Sequence, residues 1–489
     1  MKKFWFKGSG IMPLVVLILF LVSSCVDGYH DDWVWASSVK NATLESPAAD
    51  NITVSFSADG TTQTISWPLV PGAGGYQVSV YDYDDPTNPV VIGEENEIVD
   101  GIKVDRPATE DTRYKVVIRT LGNEKNNNKE AVTATEKLYD NLLPVTASVP
   151  DNTNLTDYFN ANPIPSSTTE LCYELAEGGS YTMTGNILQG RTSVTFRSAS
   201  KIHRATIAVT DGSFVNGGAG LKFKFINMDY ANFTGAATNA VILMDSNFPT
   251  AGLTSSSYFV VPTSSPILIQ SCKITGLKYY LFFDNSKKYG IGTMVIKDCI
   301  IGQNTNTFAA AQIRFGAGML KDFTMVNSTL YNEQAPSNSS NRFMQISAGN
   351  VSSVKPTTET WANGSLSITN CTFYQMGKTA QSFNSNGAMG QTSDKVTIQN
   401  NIFVDCYENG RVINRFRRGG TAAVFTGGQN TQFYGGLNSY TGTVSDLTSD
   451  VNYITSDPQL TYSGNGEFTM TGTAQVAART GDPRWLPAQ

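Results

Sequence analysis

The chain has 489 residues, a net charge of −6 and 16% charged residues, where an average soluble protein carries about 25%. A chain of that sign with no basic stripe excludes nucleic acid as a partner, because phosphate neutralisation requires clustered Lys and Arg. Abundant Asn, Thr, Ser and Gly, and room for two domains, point instead to an all-β exported protein.

Residues 1–24 read as an export signal. Lys2, Lys3 and Lys7 form its cationic start, and Ile11 to Val22 is an apolar run of twelve residues, too short to span a bilayer, which takes about 20. Cys25 follows Leu21-Val22-Ser23-Ser24, and small residues before a cysteine suit the peptidase that cleaves bacterial lipoprotein precursors. Lipidation at Cys25 would make residues 25–50 a tether and the membrane a partner through its acyl chains. The acidic stretch Val26 to Asp32 resembles the surface-export signal of lipoproteins in the Bacteroides group. That resemblance implies an outer-membrane location facing the exterior.

A first folded domain is expected over residues 51–147. Thr64 to Trp67, Gly75 to Tyr81 and Arg113 to Arg119 alternate at strand period between Gly, Pro, Asp and Asn clusters. Trp67-Pro68, Gly75-Tyr76-x-Val78 and Thr112-x-Tyr114-x-Val116 resemble a fibronectin type III domain in order and spacing. The resemblance implies an immunoglobulin-like β-sandwich with Trp67 in its core and Tyr114 at its corner, serving as a spacer.

Residues 156–489 carry an internal repeat. Apolar strands end in a polar turn residue, then a small residue, at Leu268 to Ile274, Val295 to Ile301, Thr324 to Leu330, Ser367 to Phe373 and Thr397 to Phe403. The steps from Ile269 through Ile296, Met325 and Ile368 to Ile398 are 27, 29, 43 and 30 residues. Second apolar strands follow at Leu281, Ile313, Phe343 and Val412. Several strands per turn on a constant core describe a right-handed parallel β-helix, with loops of unequal length. Cys272, Cys299 and Cys371 share one rung position with Ser328 and Asn401, which reads as an inward ladder of small side chains and not as disulfides or a metal site. His30 and His203 are the only histidines.

Asp457 to Leu460, Gly466 to Met470 and Gly481 to Leu486 resemble the closing coil of pectate lyase-like β-helix proteins, with Phe468 and Trp485 as cap residues. As a whole, the chain resembles Bacteroides-type surface lipoproteins encoded with glycan-uptake systems, largely of unassigned function. The resemblance implies a polysaccharide partner and other glycan-uptake proteins beside it.

The candidate chemistry is cationic. Arg314, Arg342 and Arg411 fall on second strands, Arg415, Arg417 and Arg418 follow, and Tyr279, Tyr331, Tyr374 and Tyr407 come just after first strands. Guanidinium groups bind carboxylates bidentately and aromatic rings stack on sugars, so these residues suit an acidic glycan such as pectin. A lyase would use an Arg base with acidic residues, and calcium enters only in that reading. Asp284 and Asp298 could meet on neighbouring rungs, although solvated turn carboxylates are the simpler expectation. A structural or adhesive surface protein is the third alternative, and catalytic residues are not assigned.

Overall fold

The computed structural model describes residues 39–249, 258–335, 337, 341–347, 361, 363–376, 383–384, 394–406, 424–434, 437–438, 450–451 and 453–488. The chain divides into two compact units, residues 1–143 and 144–489. The leader and Cys25 lie outside the described residues, and no described helix is long and apolar enough to cross a membrane.

The first unit is an antiparallel β-sandwich. Thr53–Phe56, Thr62–Ser66 and Lys103–Pro107 form one sheet, and Tyr76–Asp82, Arg113–Thr120 and Thr135–Asp140 form the body of the other. Alternation in Arg113–Thr120 buries Tyr114, Val116 and Ile118 on one face. Trp67 is buried against Tyr76, ring edge to ring face at 5.3 Å. The Tyr114 hydroxyl donates to the Thr109 carbonyl (2.8 Å) and accepts from its N–H (2.7 Å), so it closes a corner as its position suggests.

The second unit is a right-handed parallel β-helix of three sheets, here A, B and C. Seven successive coils, from Leu171–Leu175 to Phe383–Asn384, contribute one strand to each, and the described residues of later coils add strands to sheets A and B. Sheet A includes Ile267–Gln270, Tyr289–Lys297, Met319–Val326, Ser365–Thr369 and Lys395–Gln399, all parallel. Its register places Phe223, Ile269, Ile296, Met325, Ile368 and Ile398 in one line, each buried. This line is the sequence repeat made physical: like residues stack at about 4.8 Å per coil, and loop length drops out of the core. The helix Leu155–Ala161, capped by Asn154, turns Leu155 and Phe159 inward, and Phe159 packs edge-on against Tyr173 (5.0 Å) and Phe196 (5.6 Å).

From Phe225 onward, sheet A bends into sheet B at a two-residue corner of fixed design whose first residue is left-handed. Phe225, Ser271, Asp298, Asn327, Asn370, Asn400 and Gln429 all have φ between 48° and 59°. This left-handed conformation favours Asn and Asp among residues with a Cβ. The N–H of each corner from Phe225 to Asn400 donates to a carbonyl of the next coil at 2.8–3.2 Å. The Asn327 amide donates to Asp298 (3.1 Å) and the Asn370 amide to Asn327 (3.4 Å). The second residue of each corner points inward; it is Ile226 after Phe225 and a small or polar residue at the later corners, where it must satisfy its own polar group. Cys299 and Cys371 thiols donate to the Lys297 and Thr369 carbonyls (3.1 and 3.2 Å), and the Asn401 amide to Ile368 (2.8 Å). The five described cysteines are buried and free, and burial pushes the Cys272 thiol up to about 11. These thiols are packing groups, as the shared slot with Ser328 and Asn401 suggests.

Two expectations need correction. The C-terminal segment does not cover the end of the helix. Its hairpin, Leu460–Gly464 with Glu467–Met470, and the turn Pro483–Trp485 lie along the outer face of sheet B, where Phe468, Met470, Trp485 and Leu486 bury Ile300, Tyr331, Ile402 and Val404. Sheet B strands alternate Leu330, Phe373 and Phe403 inward with Tyr331, Tyr374, Ile402 and Val404 outward, so both faces are apolar and the outer one needs this strap. Arg484 fastens the strap, donating to the carbonyls of Asp298 (3.0 Å), Cys299 (2.6 Å) and Asn327 (3.1 Å).

Asp284 and Asp298 do not approach one another, because they sit at different corners of the coil. Asp298 is a sheet A to B corner, whereas Asp284 ends the sheet C strand Tyr280–Phe283 and is wholly buried. The Asp284 carboxylate accepts from Ser286 N–H (2.9 Å), Ala317 N–H (2.9 Å) and Gly318 N–H (2.6 Å), and so pins two successive turns. Burial outweighs these bonds and raises its pKa above 3.8. A carboxyl whose folded-state pKa is raised adds stability that is present below the unfolded value and lost as pH rises through the folded one. Asp284→Asn should therefore cost about 1–3 kcal/mol near the lower end of that window and less at higher pH; urea unfolding of both forms across pH checks this, and a pH-independent difference would contradict it.

Candidate functional site

The corner between sheets B and C varies in length, and that variation makes a recess. In one coil, Lys278 and Tyr279 alone join Lys273–Leu277 to Tyr280–Phe283. In the next, the seven residues 304–310 join Ile300–Gln303 to Ala311–Phe315. A short corner beside a long one leaves a groove of about 530 Å³, lined by Lys278, Tyr279, Tyr280, residues 304–310, Arg314, Gln334 and Ala237.

The long loop is held at both ends. Phe308 is buried edge-on against Tyr280 (5.0 Å) and Tyr279 (6.0 Å). Asn332, from the following coil and fully buried, donates to the Thr305 carbonyl (2.8 Å) while its oxygen accepts from the N–H groups of Thr305 and Gln334 (both 3.3 Å). Gln334 in turn donates to the Asn304 side-chain oxygen (2.7 Å), closing one wall.

The polar chemistry of the groove is one-signed. Lys278 and Arg314 line it, and none of its described lining residues is Asp or Glu. Arg314 Nη1 donates to the Tyr280 hydroxyl (3.1 Å), and its guanidinium lies 5.6 Å from the Phe283 ring, which stacks on Tyr280 at 4.6 Å. Arg314 Nε has no acceptor among the described residues. Lys278 is aimed by a bond to the Phe233 carbonyl (2.7 Å), with two ammonium donors remaining. Arg342 follows on the next sheet C strand; desolvation lowers its pKa first, and the charge of Arg314 lowers it further. An anion entering here meets fixed donors and no competing carboxylate. Among the described residues, no group of three His, Cys, Asp or Glu side chains could hold a metal ion.

The structure brings together Arg314 and Tyr279 of the residues singled out by sequence, with Arg342 adjoining. Tyr331 is corrected: its ring is fully buried beneath the strap against Tyr462 (5.3 Å) and Phe468 (5.8 Å), so it supplies packing and no sugar platform. Tyr374 packs on the same strap residues. Tyr407, Arg411, Arg415, Arg417 and Arg418 lie outside the described residues. Sequence reasoning missed Lys278, Tyr280, Phe308, Asn332 and Gln334. The run Lys278-Tyr279-Tyr280 at an unusually short corner was the available signal.

Three domain-family profiles match the chain, each described as a domain of unknown function: DUF4992 over residues 7–180, DUF4957 over residues 179–333 and DUF5123 over residues 366–485. Most of the groove falls in the second match and the strap in the third. No curated protein matches the chain. Among solved structures, a PL6 family alginate lyase, AlyGC, is similar at 14% identity and a TM-score of 0.32, over 60% of this chain and 41% of that one. The chain thus spans less than half of that enzyme's length.

Asn332→Ala should leave the Thr305 backbone groups and the Gln334 N–H without their buried partner. A loss of about 1–3 kcal/mol in the β-helix is expected by urea unfolding; an unchanged midpoint would show that Asn332 does not hold the loop.

Proposed function

We propose that this chain is a polysaccharide-binding protein whose groove at the sheet B to C corner takes an acidic glycan. The observation that carries the reading is the pairing of Lys278 and Arg314 in a recess lined by aromatic rings and free of described carboxylates. Charge-assisted bonds from guanidinium and ammonium groups favour uronate or sulfate over neutral sugars. Tyr279 offers an aromatic surface of the kind on which pyranose rings stack. Asn304, Asn306 and Gln334 add amide donors and acceptors for hydroxyls.

The remaining parts fit this role as an assembly. A lipid at Cys25 would hold the protein to an outer membrane, facing outward, and the sandwich would act as spacer between tether and β-helix. Other glycan-uptake proteins are natural neighbours for such a binder. Cleavage by β-elimination is the second reading, favoured by the Arg314 to Tyr280 contact, which places a titratable hydroxyl beside a cation in the groove. It would also call for neutralisation of the uronate; with no described carboxylate in the groove to hold calcium, that role would fall to Arg314 and Lys278.

Calorimetric titration of the full-length chain with polygalacturonate, alginate and heparin tests both. Binding of at least one is expected, weakened about tenfold or more by Arg314→Ala and by Lys278→Ala, as about 1.5–3 kcal/mol per charged hydrogen bond implies. Ultraviolet absorbance of unsaturated uronide, lost in Arg314→Ala, would replace binding alone with lyase activity. Failure to bind any of the three would overturn the reading.

A further inference from the structure

The strap and the groove wall share two strands. Tyr462 of the strap hairpin packs tilted on Tyr331 at 5.3 Å, and the Tyr331 ring rests directly on Gly302 of the neighbouring strand, where a Cβ would come within 2.3 Å of it. Only glycine permits that approach. One residue further on, Gln303 faces Asn332, and the Gln303 carbonyl accepts the Glu333 N–H at 2.9 Å. The next residues are the groove wall itself, Asn304 and Gln334, joined at 2.7 Å. Tyr462 also reaches across to Glu333, hydroxyl to carboxylate at 3.3 Å. A contiguous path of packing and hydrogen bonds thus runs from the strap to the wall, through Gly302 and Tyr331 on one side and Glu333 on the other.

We propose that the C-terminal strap sets the position of the groove wall, with Tyr462 as the positioning residue. The proposal rests on reading the groove as the glycan site, but it makes a claim about the ligand-free protein as well. Strand ends that carry exposed loops fray unless both faces are loaded. Inside, Ile301 and Leu330 load the two strands; outside, among the described residues, the strap does. Lifting Tyr462 would therefore let residues 302–306 and 332–335 move together, and Arg314 and Lys278 would face a wall no longer fixed at one distance from them. Preorganisation of that wall is what binding affinity draws on.

Amide hydrogen exchange on the ligand-free full-length chain tests this, read at residues 302–306 and 332–335 and, as an internal reference, at Val194–Ser198 in an early coil. Tyr462→Ala should speed exchange in the first two segments about tenfold or more and leave the reference unchanged. Tyr462→Phe, which keeps the ring and loses the hydroxyl, should fall between wild type and Ala. Gly302→Ala, which forces Tyr331 and the strap outward from below, should reproduce the Ala result without touching Tyr462. Polygalacturonate affinity should fall several-fold in Tyr462→Ala and be largely restored in Tyr462→Phe. Unchanged exchange in Tyr462→Ala overturns the proposal, and so does acceleration spread evenly over wall and reference. If the wall loosens as expected but wild type binds no acidic glycan, the glycan reading falls and the positioning claim stands.

Discussion

The left-handed corner between sheets A and B is the constraint from which the rest of the β-helix follows. Each such residue gives up roughly 1 kcal/mol of backbone preference, less for Asn and Asp, which tolerate the conformation. That cost is offset because the bend aims its N–H at a carbonyl of the next coil, and this recurs from Phe225 to Asn400. The second corner residue points inward, and after Ile226 in the first such corner the slot is filled by Cys272, Cys299, Ser328, Cys371 and Asn401. From Phe225 onward this corner is constant, so sheets A and B are held in register there whatever the other corners do, and the described length variation of those coils falls at the corners flanking sheet C.

Function is read from that freedom. The sheet B to C corner shrinks to two residues at Lys278 and Tyr279 and expands to seven in the following coil, which opens a recess. The recess sits over sheet C, where Tyr280, Phe283 and Phe308 form a small outer apolar cluster with Arg314 laid against it. A guanidinium flattened on aromatic rings keeps its edge for hydrogen bonding and loses little conformational freedom when it binds. Sheet B has the opposite arrangement: its outer face is apolar and closed by the strap, with buried Asp482 accepting from Thr329 (2.7 Å) and from Arg484 (2.9 Å). One flank of the solenoid is thus sealed by the strap, and the neighbouring one carries the recess.

The fold was legible in the sequence because the ladder imposes the same residue class at the same offset in every coil. Ile269, Ile296, Met325, Ile368 and Ile398 could be aligned without knowing any loop. The site was legible only in part. Arg314 and Tyr279 belong to the groove, but Tyr331 does not, since alternation along a three- or four-residue strand says which residues share a face and not what covers it. The strap was misplaced for the same reason: Phe468 and Trp485 announce burial, and nothing local tells whether they bury the end of a solenoid or its side. Asn332 and Gln334 could not be found from sequence, as their role depends on a loop from the preceding coil. Lys278 was overlooked because a lysine at a two-residue corner looks like any solvated turn residue until its neighbour's longer loop is seen to wall it in.

The central claim is that Lys278 and Arg314 present one anion-binding groove to an extended glycan. A crystal structure of the full-length chain with a galacturonate oligosaccharide tests it most directly. The account predicts sugar density along the sheet B to C corner, with carboxylates within hydrogen-bonding distance of the Arg314 Nη atoms and Lys278 Nζ and a ring against Tyr279. Density at any other surface, or a groove that stays empty while the oligosaccharide binds elsewhere or not at all, would contradict it.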